Sequence, residues 1–304
     1  MFWKPADPTR NEGFTVNLEG GIGNQLFQYV AGMSLALYKN CTLTVNTSRV
    51  KGNRHGGECI TSFVMPKICQ VEDVMNRPKI DNRVSRVIRF KISSQVTNFK
   101  AYFSPEVGFD ENLMKLAKGT KINGYFQTFR YLYFLRSNGI EFQDLELKTT
   151  SSLFTSLSSQ AFLSLPVVLH FRRGDYCAFS QEFGLLSSNY YSRAIEQLSL
   201  SSQLNEVWIY SDDFEVAKRE LAHLKNDVSL RFMDETETMS APEVLKLMAI
   251  GSAHVIANSS FSWWSASLSK TSSRVIAPNP WFKERASPKE LIPGNWLIQK
   301  SLWV

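Results

Sequence analysis

This sequence has little that supports a disulfide framework, a zinc cluster or a membrane segment. Its four cysteines form no Cys-x-x-Cys pair, so we expect reduced thiols, as in a cytosolic protein. Cys59 and Cys69 lie near His55, but their spacing matches no standard zinc set. No run of about 18 apolar residues occurs, which argues against a membrane span. The N-terminal MFWKPADPTRNEGF lacks the basic start and apolar core of a signal peptide.

The composition favours a folded protein with an anionic partner. Of the 304 residues, 43% are hydrophobic, which is enough to bury a core. The formal charge of +6 suits a nucleotide, a nucleic acid or an acidic membrane surface. The basic residues are scattered and the aromatic residues fit a core pattern, which argues against a nucleic-acid-binding module.

The first part of the chain has a β-loop-α-β pattern. Phe14–Leu18 and Thr42–Val45 are predicted strands, and apolar spacing predicts a helix over Asn24–Lys39. Asn24 is a candidate N-cap, and the loop GGIG before it permits close backbone approach to a ligand. The loop is not a complete GxGxxG, and no P-loop lysine follows it.

The second part alternates strands and helices, which predicts a parallel, doubly wound sheet. The predicted strands are Val167–Phe171, Glu206–Tyr210, Ser229–Met233, Ala253–Ala257 and Arg274–Ala277, and the predicted helices between them are Asn189–Leu200, Phe214–Leu224, Ala241–Ile250 and Phe261–Leu268. A serine-rich helical segment before this region resembles a domain junction. We therefore expect an α/β fold of two domains, residues 1–155 and 156–304, facing each other across a ligand cleft. Whether the C-terminal tail packs back on the first domain is left open.

The stretch VVLHFRRGDY carries the strongest local signal. An apolar strand ends in His170, Arg172, Arg173 and Asp175, with Gly174 in the turn. Ligands of parallel sheets bind at the carboxyl ends of the strands, and adjacent guanidiniums suit a phosphate. The alternative is an arginine pair bound to nearby carboxylates.

Two more strand ends carry polar residues, YSDD at 210–213 and NSSFSWW at 258–264. Ser259, Ser260 and the helix amides behind them can donate to phosphate oxygens. Asp212 can accept two donors from a guanine edge, while helix capping is the competing role, above all for Asp213. An adjacent Asp pair is weak evidence for a metal site. Trp263 and Trp264 fit core packing better than sugar stacking.

These segments together resemble the motif set of the α-1,2-fucosyltransferases, glycosyltransferase family 11. The matching segments, in family order, are GGIGNQLFQY at 20–29, GYFQ at 124–127, HFRRGDY at 170–176, YSDD at 210–213, NSSFSWWSA at 258–266 and APNPWF at 277–282. The resemblance implies a GT-B-type fold of two Rossmann-like domains, a GDP-fucose donor, inversion at the anomeric carbon and no required metal or other cofactor.

The resemblance also implies roles for residues at matching positions. Arg172 would contact the donor phosphates, with Arg173 supporting the same region, and His170 and Asp212 would contact guanine. The turn of Asn258, Ser259, Ser260 and Phe261 would meet the pyrophosphate. Gly21, Gly23 and Asn24 would line the cleft from the other side.

The mechanism expected from this resemblance is inverting transfer through an oxocarbenium-like state. Negative charge grows on the β-phosphate, and Arg172 with helix-terminal amides would stabilise it. A general base would take the acceptor proton, for which Asp175 and Glu182 are candidates. Asp175 is equally able to orient Arg172 or hold the turn.

The expected acceptor is the 2-hydroxyl of a terminal β-galactoside, as a free or lipid-linked glycan. The chain lacks the membrane anchor of the animal members, which favours a bacterial, cytoplasmic enzyme of surface-glycan (O-antigen type) synthesis, or a trimmed chain. The basic run Arg77–Lys91 is either a solvated face or a peripheral docking surface for the inner membrane. A fucosyltransferase of another linkage and a non-catalytic GDP-sugar-binding protein are the alternatives.

Overall fold

The computed structural model describes residues 13–50, 60–66, 69–72, 101–142, 145–200, 204, 206–226 and 228–304. The chain divides into two compact units. The first is Met1–Glu146 with Pro288–Leu291, and the second is Leu147–Ser287 with Ile292–Val304. The basic run Arg77–Lys91, together with His55 and Cys59, lies outside the described residues. The other cysteines, Cys41, Cys69 and Cys177, are free thiols.

The first unit contains a five-stranded parallel sheet. Its strands are β1 (Phe14–Asn17), β2 (Leu43–Asn46), β3 (Cys69–Glu72), β4 (Ala101–Phe103) and β5 (Lys121–Asn123). Their order in the sheet is β3-β2-β1-β5-β4, and every pairing is parallel. Two helices of this unit are α1 (Ile22–Tyr38) and α2 (Phe129–Ser137).

Helix α1 is apolar on nearly every side and is correspondingly buried. Gly32 lets it approach the sheet, because a Cβ there would lie 3.0 Å from a methyl carbon of Leu43. The helix begins at Ile22 with Gly21 as its N-cap, so the expectation that Asn24 caps it is wrong. Asn24 lies within the first turn, where its side-chain oxygen accepts a hydrogen bond from Gln127 at 2.8 Å.

The second unit contains a six-stranded parallel sheet. Its strands are β6 (Val167–Phe171), β7 (Glu206–Ser211), β8 (Ser229–Phe232), β9 (Ala253–Val255), β10 (Arg274–Asn279) and β11 (Leu297–Lys300). They run in the order β11-β10-β9-β6-β7-β8. Its helices are α3 (Ser152–Ser164), α4 (Ser180–Phe183), α5 (Ser188–Ser199), α6 (Phe214–Glu220), α7 (Ala241–Met248) and α8 (Ser260–Leu268).

Both faces of this second sheet are covered by apolar packing. Val167, Leu169 and Phe171 of β6 pack with α5 and α6, whereas Val168, between them in sequence, packs with α3 and α7. Strands buried on both faces read as continuous apolar runs, which is the pattern of VVLHF. The prediction of an α/β fold built from two parallel-sheet units is confirmed. Within the described part of the chain, none of the helices has the length and apolar character needed to cross a bilayer.

Candidate active site at the strand ends of the second unit

Three polar segments follow neighbouring strands at one edge of the second sheet. Strand β6 lies between β9 and β7, and all three run parallel. The segments after them, 170–176, 210–213 and 258–264, therefore emerge side by side, as their positions in sequence predict. The structure brings His170, Arg172, Arg173, Asp175 and Asp212 together there.

Arg172 is held between two carboxylates and an aromatic ring. Its Nη1 lies 2.9 Å from Asp212 Oδ2, and its Nη2 donates to Asp175 Oδ1. The guanidinium carbon lies 5.1 Å from the centre of the Tyr176 ring. The side chain keeps only 18% of its exposure. In this structure Arg172 is therefore paired with carboxylates, which is the alternative that the sequence left open.

Arg173 supports the turn from inside the unit. It is 2% exposed, and its guanidinium donates to the backbone oxygens of Arg172 and Leu186 at 2.9 and 3.0 Å. Its Nη2 also lies 2.5 Å from Glu220. Since each arginine has its own carboxylate partner, the two guanidiniums need no shared anion between them. A direct role of Arg173 in donor binding stays a prediction.

The two adjacent aspartates face different partners. Asp213 accepts a hydrogen bond from the Val216 N–H at 3.1 Å and caps α6, which is the alternative role that the sequence left open for it. Asp212 instead accepts from the Arg173 N–H at 2.8 Å and pairs with Arg172. Among the described residues, no group of three or more His, Cys, Asp or Glu side chains is placed to hold a metal ion.

His170 lies at the floor of the site as a neutral imidazole. It is 5% exposed, and its ring centre lies 6.0 Å from that of Phe261. Burial, together with the nearby charge of Arg172, lowers the pKa of His170 to about 3. Its Nδ1 is buried with no hydrogen-bond partner among the described residues. A buried polar atom of this kind points to a ligand or water as its partner.

The β9–α8 turn is held by its own side chains. Ser259 accepts a hydrogen bond from the Phe261 N–H and caps α8, and Ser260 is the first, half-buried residue of the helix. Asn258 is 1% exposed and donates to the backbone oxygen of Phe183 at 3.0 Å. The first amides of α8 thus face the strand-end edge, where a helix N-terminus favours an anion. The turn's contact with a pyrophosphate stays a prediction.

Tyr176 connects this turn to the arginine. Its hydroxyl donates to the Asn258 backbone oxygen at 3.0 Å, while its ring contacts the guanidinium of Arg172. Burial raises the pKa of Tyr176 to about 12, so the hydroxyl remains a donor. Sequence reasoning gave Tyr176 no role, although it stands in the HFRRGDY segment.

The two candidate bases differ in their surroundings. Asp175 is the second residue of the helical turn Gly174–Phe179, pairs with Arg172 and keeps 35% of its side-chain exposure. Glu182 lies on α4, is 48% exposed and pairs with Arg285 at 3.0 Å. Arg285 also lies over the ring of Phe282. Either carboxylate reaches solvent, and the assignment of the base stays a prediction.

The other residues predicted to bind the donor lie outside the strand-end cluster of the second unit, and His254 is a core residue. Gly21, Gly23 and Asn24 belong to the first unit, at the loop after β1 and the start of α1. Their contact with a donor stays a prediction. His254 is fully buried and its Nε2 lies 2.7 Å from the Met248 oxygen, as suits a structural residue.

The tryptophan pair belongs to the core of the second unit. Trp263 and Trp264 are both fully buried, and their ring centres lie 5.1 Å apart at nearly a right angle. Edge-to-face packing of this kind stabilises a core. The prediction of core packing is confirmed.

The fold and the site define an α/β protein in which arginines, carboxylates and a helix N-terminus follow neighbouring strand ends of the second sheet. The model of Glycosyl transferase family 11 matches residues 114–298, and the chain belongs to this family of glycosyltransferases.

Two relatives from Escherichia coli extend this match along the chain. The alpha-1,2-colitosyltransferase is 27% identical over an alignment that covers 92% of this chain and 96% of that protein. The O-antigen biosynthesis glycosyltransferase WbnK is also 27% identical, over 92% of this chain and 98% of that protein.

A solved structure shares the fold. NodZ alpha-1,6-fucosyltransferase, soaked with GDP-fucose, matches with a TM-score of 0.52 at 16% identity, covering 88% of this chain and 96% of that chain. This likeness shows a GT-B-type fold, in agreement with the expectation drawn from the motifs.

Proposed function

We propose that this glycosyltransferase moves L-fucose from GDP-β-L-fucose to the 2-hydroxyl of a terminal β-galactoside, with inversion. The observation that carries the proposal is that Arg172 and the N-terminus of α8 follow the carboxyl ends of the adjacent parallel strands β6 and β9. A guanidinium and helix amides are the groups that stabilise a leaving diphosphate. Family membership and the GDP-fucose of the NodZ structure support the same donor.

Binding of the diphosphate requires a change of partners at Arg172. The guanidinium has one formal positive charge against the two negative charges of Asp175 and Asp212. Asp212 is also bound by the Arg173 N–H, whereas Asp175 is the more exposed of the two. In the proposed complex Asp175 turns towards solvent, and the phosphate oxygens take its place on Nη2. Asp212 stays and keeps the guanidinium in orientation.

The proposed guanine contacts are His170 and Asp212. His170 is neutral, so it offers one ring nitrogen as a donor and the other as an acceptor. The carboxylate of Asp212 would accept from the guanine N1–H and amino group through the second lone pair of each oxygen, so that its bonds to Arg172 and to the Arg173 N–H are kept. Of the two candidate bases, we favour Asp175, because it lies directly beside Arg172, whereas Glu182 lies on α4 and pairs with Arg285.

The transfer is proposed to need no divalent cation. Arg172 and the α8 amides would carry the charge that a metal carries in other transferases. The supporting observation is that Asp212 and Asp213 face an arginine and a helix end, respectively. Excess EDTA should therefore leave the initial rate unchanged. A loss of rate that Mn²⁺ restores would contradict this part of the proposal.

A second candidate donor is favoured by one relative. The alpha-1,2-colitosyltransferase is named for a different sugar at the same linkage. Colitose is L-fucose without its 3-hydroxyl, so the two donors differ by one hydrogen-bonding group. A site that hydrogen-bonds a substrate hydroxyl rejects the analogue lacking it by about 10⁴-fold or more. The ratio of kcat/KM for the two GDP-sugars therefore decides between them.

The proposed setting is the assembly of bacterial surface glycans in the cytoplasm, with a galactose-terminated, free or lipid-linked acceptor. WbnK is named for O-antigen biosynthesis, which supports that setting. Transfer to another hydroxyl and donor binding without catalysis are the competing outcomes.

A panel of galactosides with each GDP-sugar tests the proposal, with GDP release as the rate and NMR of the product as the linkage. An α-1,2-fucosyl product is the expected result. Release of no GDP with any acceptor, despite tight GDP-fucose binding, would establish a binding protein instead.

A further inference from the structure

Three asparagines form a row at the carboxyl edge of the first sheet. Asn17, Asn46 and Asn123 are the last residues of the neighbouring strands β1, β2 and β5. Asn17 is in register with Asn46. The pairing of Val16 with Ile122 places Asn123 level with Asn17 on the other side. Residues in register point to the same face of a sheet, so the three amides can contact one another.

The amides form a directed chain of hydrogen bonds. Asn46 Nδ2 donates to Asn17 Oδ1 at 2.9 Å, and Asn17 Nδ2 donates to Asn123 Oδ1 at 2.9 Å. Asn123 Oδ1 accepts a second bond, from Arg49 Nη1 at 3.1 Å. Asn123 Nδ2 donates to the Tyr102 backbone oxygen at 3.0 Å. This series of hydrogen bonds therefore connects the sheet to the guanidinium of Arg49.

Stability alone does not account for this row. Asn17 and Asn123 are 8% and 7% exposed, and burying amides costs free energy that their hydrogen bonds only offset. Apolar residues at the same positions would extend the core of the sheet. What the amides supply is orientation, because they hold one nitrogen of Arg49 while its side chain stays 42% exposed.

A carboxylate faces the same guanidinium from the loop after β1. Glu19 Oε2 lies 3.8 Å from Arg49 Nη1, and the Glu19 side chain is 32% exposed. The Glu19 backbone N–H donates to Gln28 Oε1 at 2.9 Å, which fixes the loop. A donor group and an acceptor group thus stand together at the sheet edge where ligands of parallel sheets bind.

We propose that Arg49 and Glu19, oriented by the asparagine row, form a sugar-binding subsite for the acceptor glycoside. Adjacent hydroxyls of a pyranose offer an acceptor and a donor, which the guanidinium and the carboxylate match. The Arg49–Glu19 pair is formally neutral, so it suits an uncharged sugar and not a phosphate. Its role as the acceptor subsite rests on the proposed galactoside transfer.

The test compares acceptor and donor kinetics in Arg49→Met and Glu19→Gln. The acceptor KM should rise at least about tenfold, since Arg49→Met removes a charged donor and Glu19→Gln removes the charge of the acceptor. The donor KM and the slow hydrolysis of GDP-fucose without acceptor should stay within about twofold, because neither involves the acceptor. Arg130→Met is the matched control, since Arg130 is a half-exposed arginine of the same unit, paired with Glu290 at 3.2 Å.

An unchanged acceptor KM in both variants, or an equal rise in the donor KM, would overturn the subsite. Arg49→Lys keeps the charge without the planar fork and should also raise the acceptor KM if Arg49→Met does not fold. Failure of the proposed function is distinguishable, because wild-type protein would then neither transfer nor hydrolyse the fucosyl group. In that case methyl β-galactoside binding, followed by saturation-transfer NMR, tests the subsite alone. Signals from wild type that Arg49→Met abolishes support it, and no signal from wild type refutes it.

Discussion

Gly174 is the position at which a single methyl group should disrupt the proposed site. It has a φ of +32°, and a Cβ there would lie 1.9 Å from Asp212 Oδ2 and 2.8 Å from its Cγ. The Asp212 side chain is short, so it can avoid the methyl group only by rotating. Rotation breaks its bonds to the Arg173 N–H and to Arg172 Nη1. Gly174→Ala therefore acts on Arg172 through Asp212.

The cost has two parts. An alanine at this positive φ lowers the free energy of unfolding by about 1–2 kcal/mol. Each lost Asp212 bond adds about 1 kcal/mol, at the low end for a charged group because Asp212 keeps about a quarter of its side-chain exposure. Gly174→Ala should then lower the free energy of unfolding of the second unit by about 3–4 kcal/mol, and Asp212→Ala by about 2 kcal/mol.

A double-mutant cycle separates the two parts. Without the Asp212 carboxylate, Gly174→Ala retains only the backbone strain, so the double variant should cost about as much as Gly174→Ala alone. The expected coupling is about 2 kcal/mol. Urea unfolding followed by tryptophan fluorescence is the assay, because six of the seven tryptophans lie in the second unit.

Gly139→Ala is the strain control, since Gly139 also has a positive φ, of +78°, but no atom within 4 Å of an added Cβ. It lies in the first unit, so its stability is followed by circular dichroism. Additive costs in the cycle would refute the reasoning, because they would mean that Asp212 moves aside without loss. The same conclusion would follow if Gly174→Ala cost no more than Gly139→Ala.

Three further predictions concern charge. Arg172→Ala should lower turnover at saturating donor at least about a hundredfold. The turnover of Arg172→Lys should lie between those of wild type and Arg172→Ala. Wild-type turnover in Arg172→Ala would show that Arg172 has no part in the mechanism. GDP should raise the melting temperature of wild type more than ADP does, and Asp212→Asn should abolish the difference; equal shifts in wild type would contradict the guanine contact. Burial lowers the pKa of His254 from 6.5 to about 4. Between these two pH values the unfolded chain binds a proton at His254 that the folded protein does not bind. Stability should therefore fall between pH 7 and pH 5, and His254→Asn should remove about 2 kcal/mol of that fall; an identical fall in wild type and variant would contradict it.

The second unit was predictable because its strands are apolar runs separated by helical patterns. Its central strands lie within a residue or two of their predicted ends, since both sheet faces demand apolar side chains there. Strand β11, Leu297–Lys300, was not predicted. It is an edge strand with mostly exposed residues, so burial imposes no pattern on it.

The first unit was harder to predict because its strands are short. A signal for the asparagine row exists in the sequence, where FTVN, LTVN and KIN each end a strand in asparagine. That repetition becomes meaningful only once the register is known, because register decides whether three residues share a row. The predicted start of α1 at Asn24 is also wrong, because the sequence favours Asn24 as the N-cap. In the structure the N-cap is Gly21, which has an extended backbone conformation, and the helix begins at Ile22.

The partners of Arg172 and Arg173 could not be identified from the sequence. Adjacent guanidiniums imply anionic partners, and the structure supplies them as Asp175, Asp212 and Glu220. Glu220 lies 47 residues after Arg173, so sequence proximity could not identify it. Carboxylate pairing and phosphate binding are nevertheless compatible. Arg173 is itself buried and is bonded to two backbone oxygens besides Glu220, so it stays in place, whereas Arg172 has a partner on a surface turn, Asp175, that an incoming phosphate can replace. A guanidinium held by one fixed and one displaceable carboxylate keeps its orientation before the substrate binds, and that orientation is what transition-state stabilisation requires.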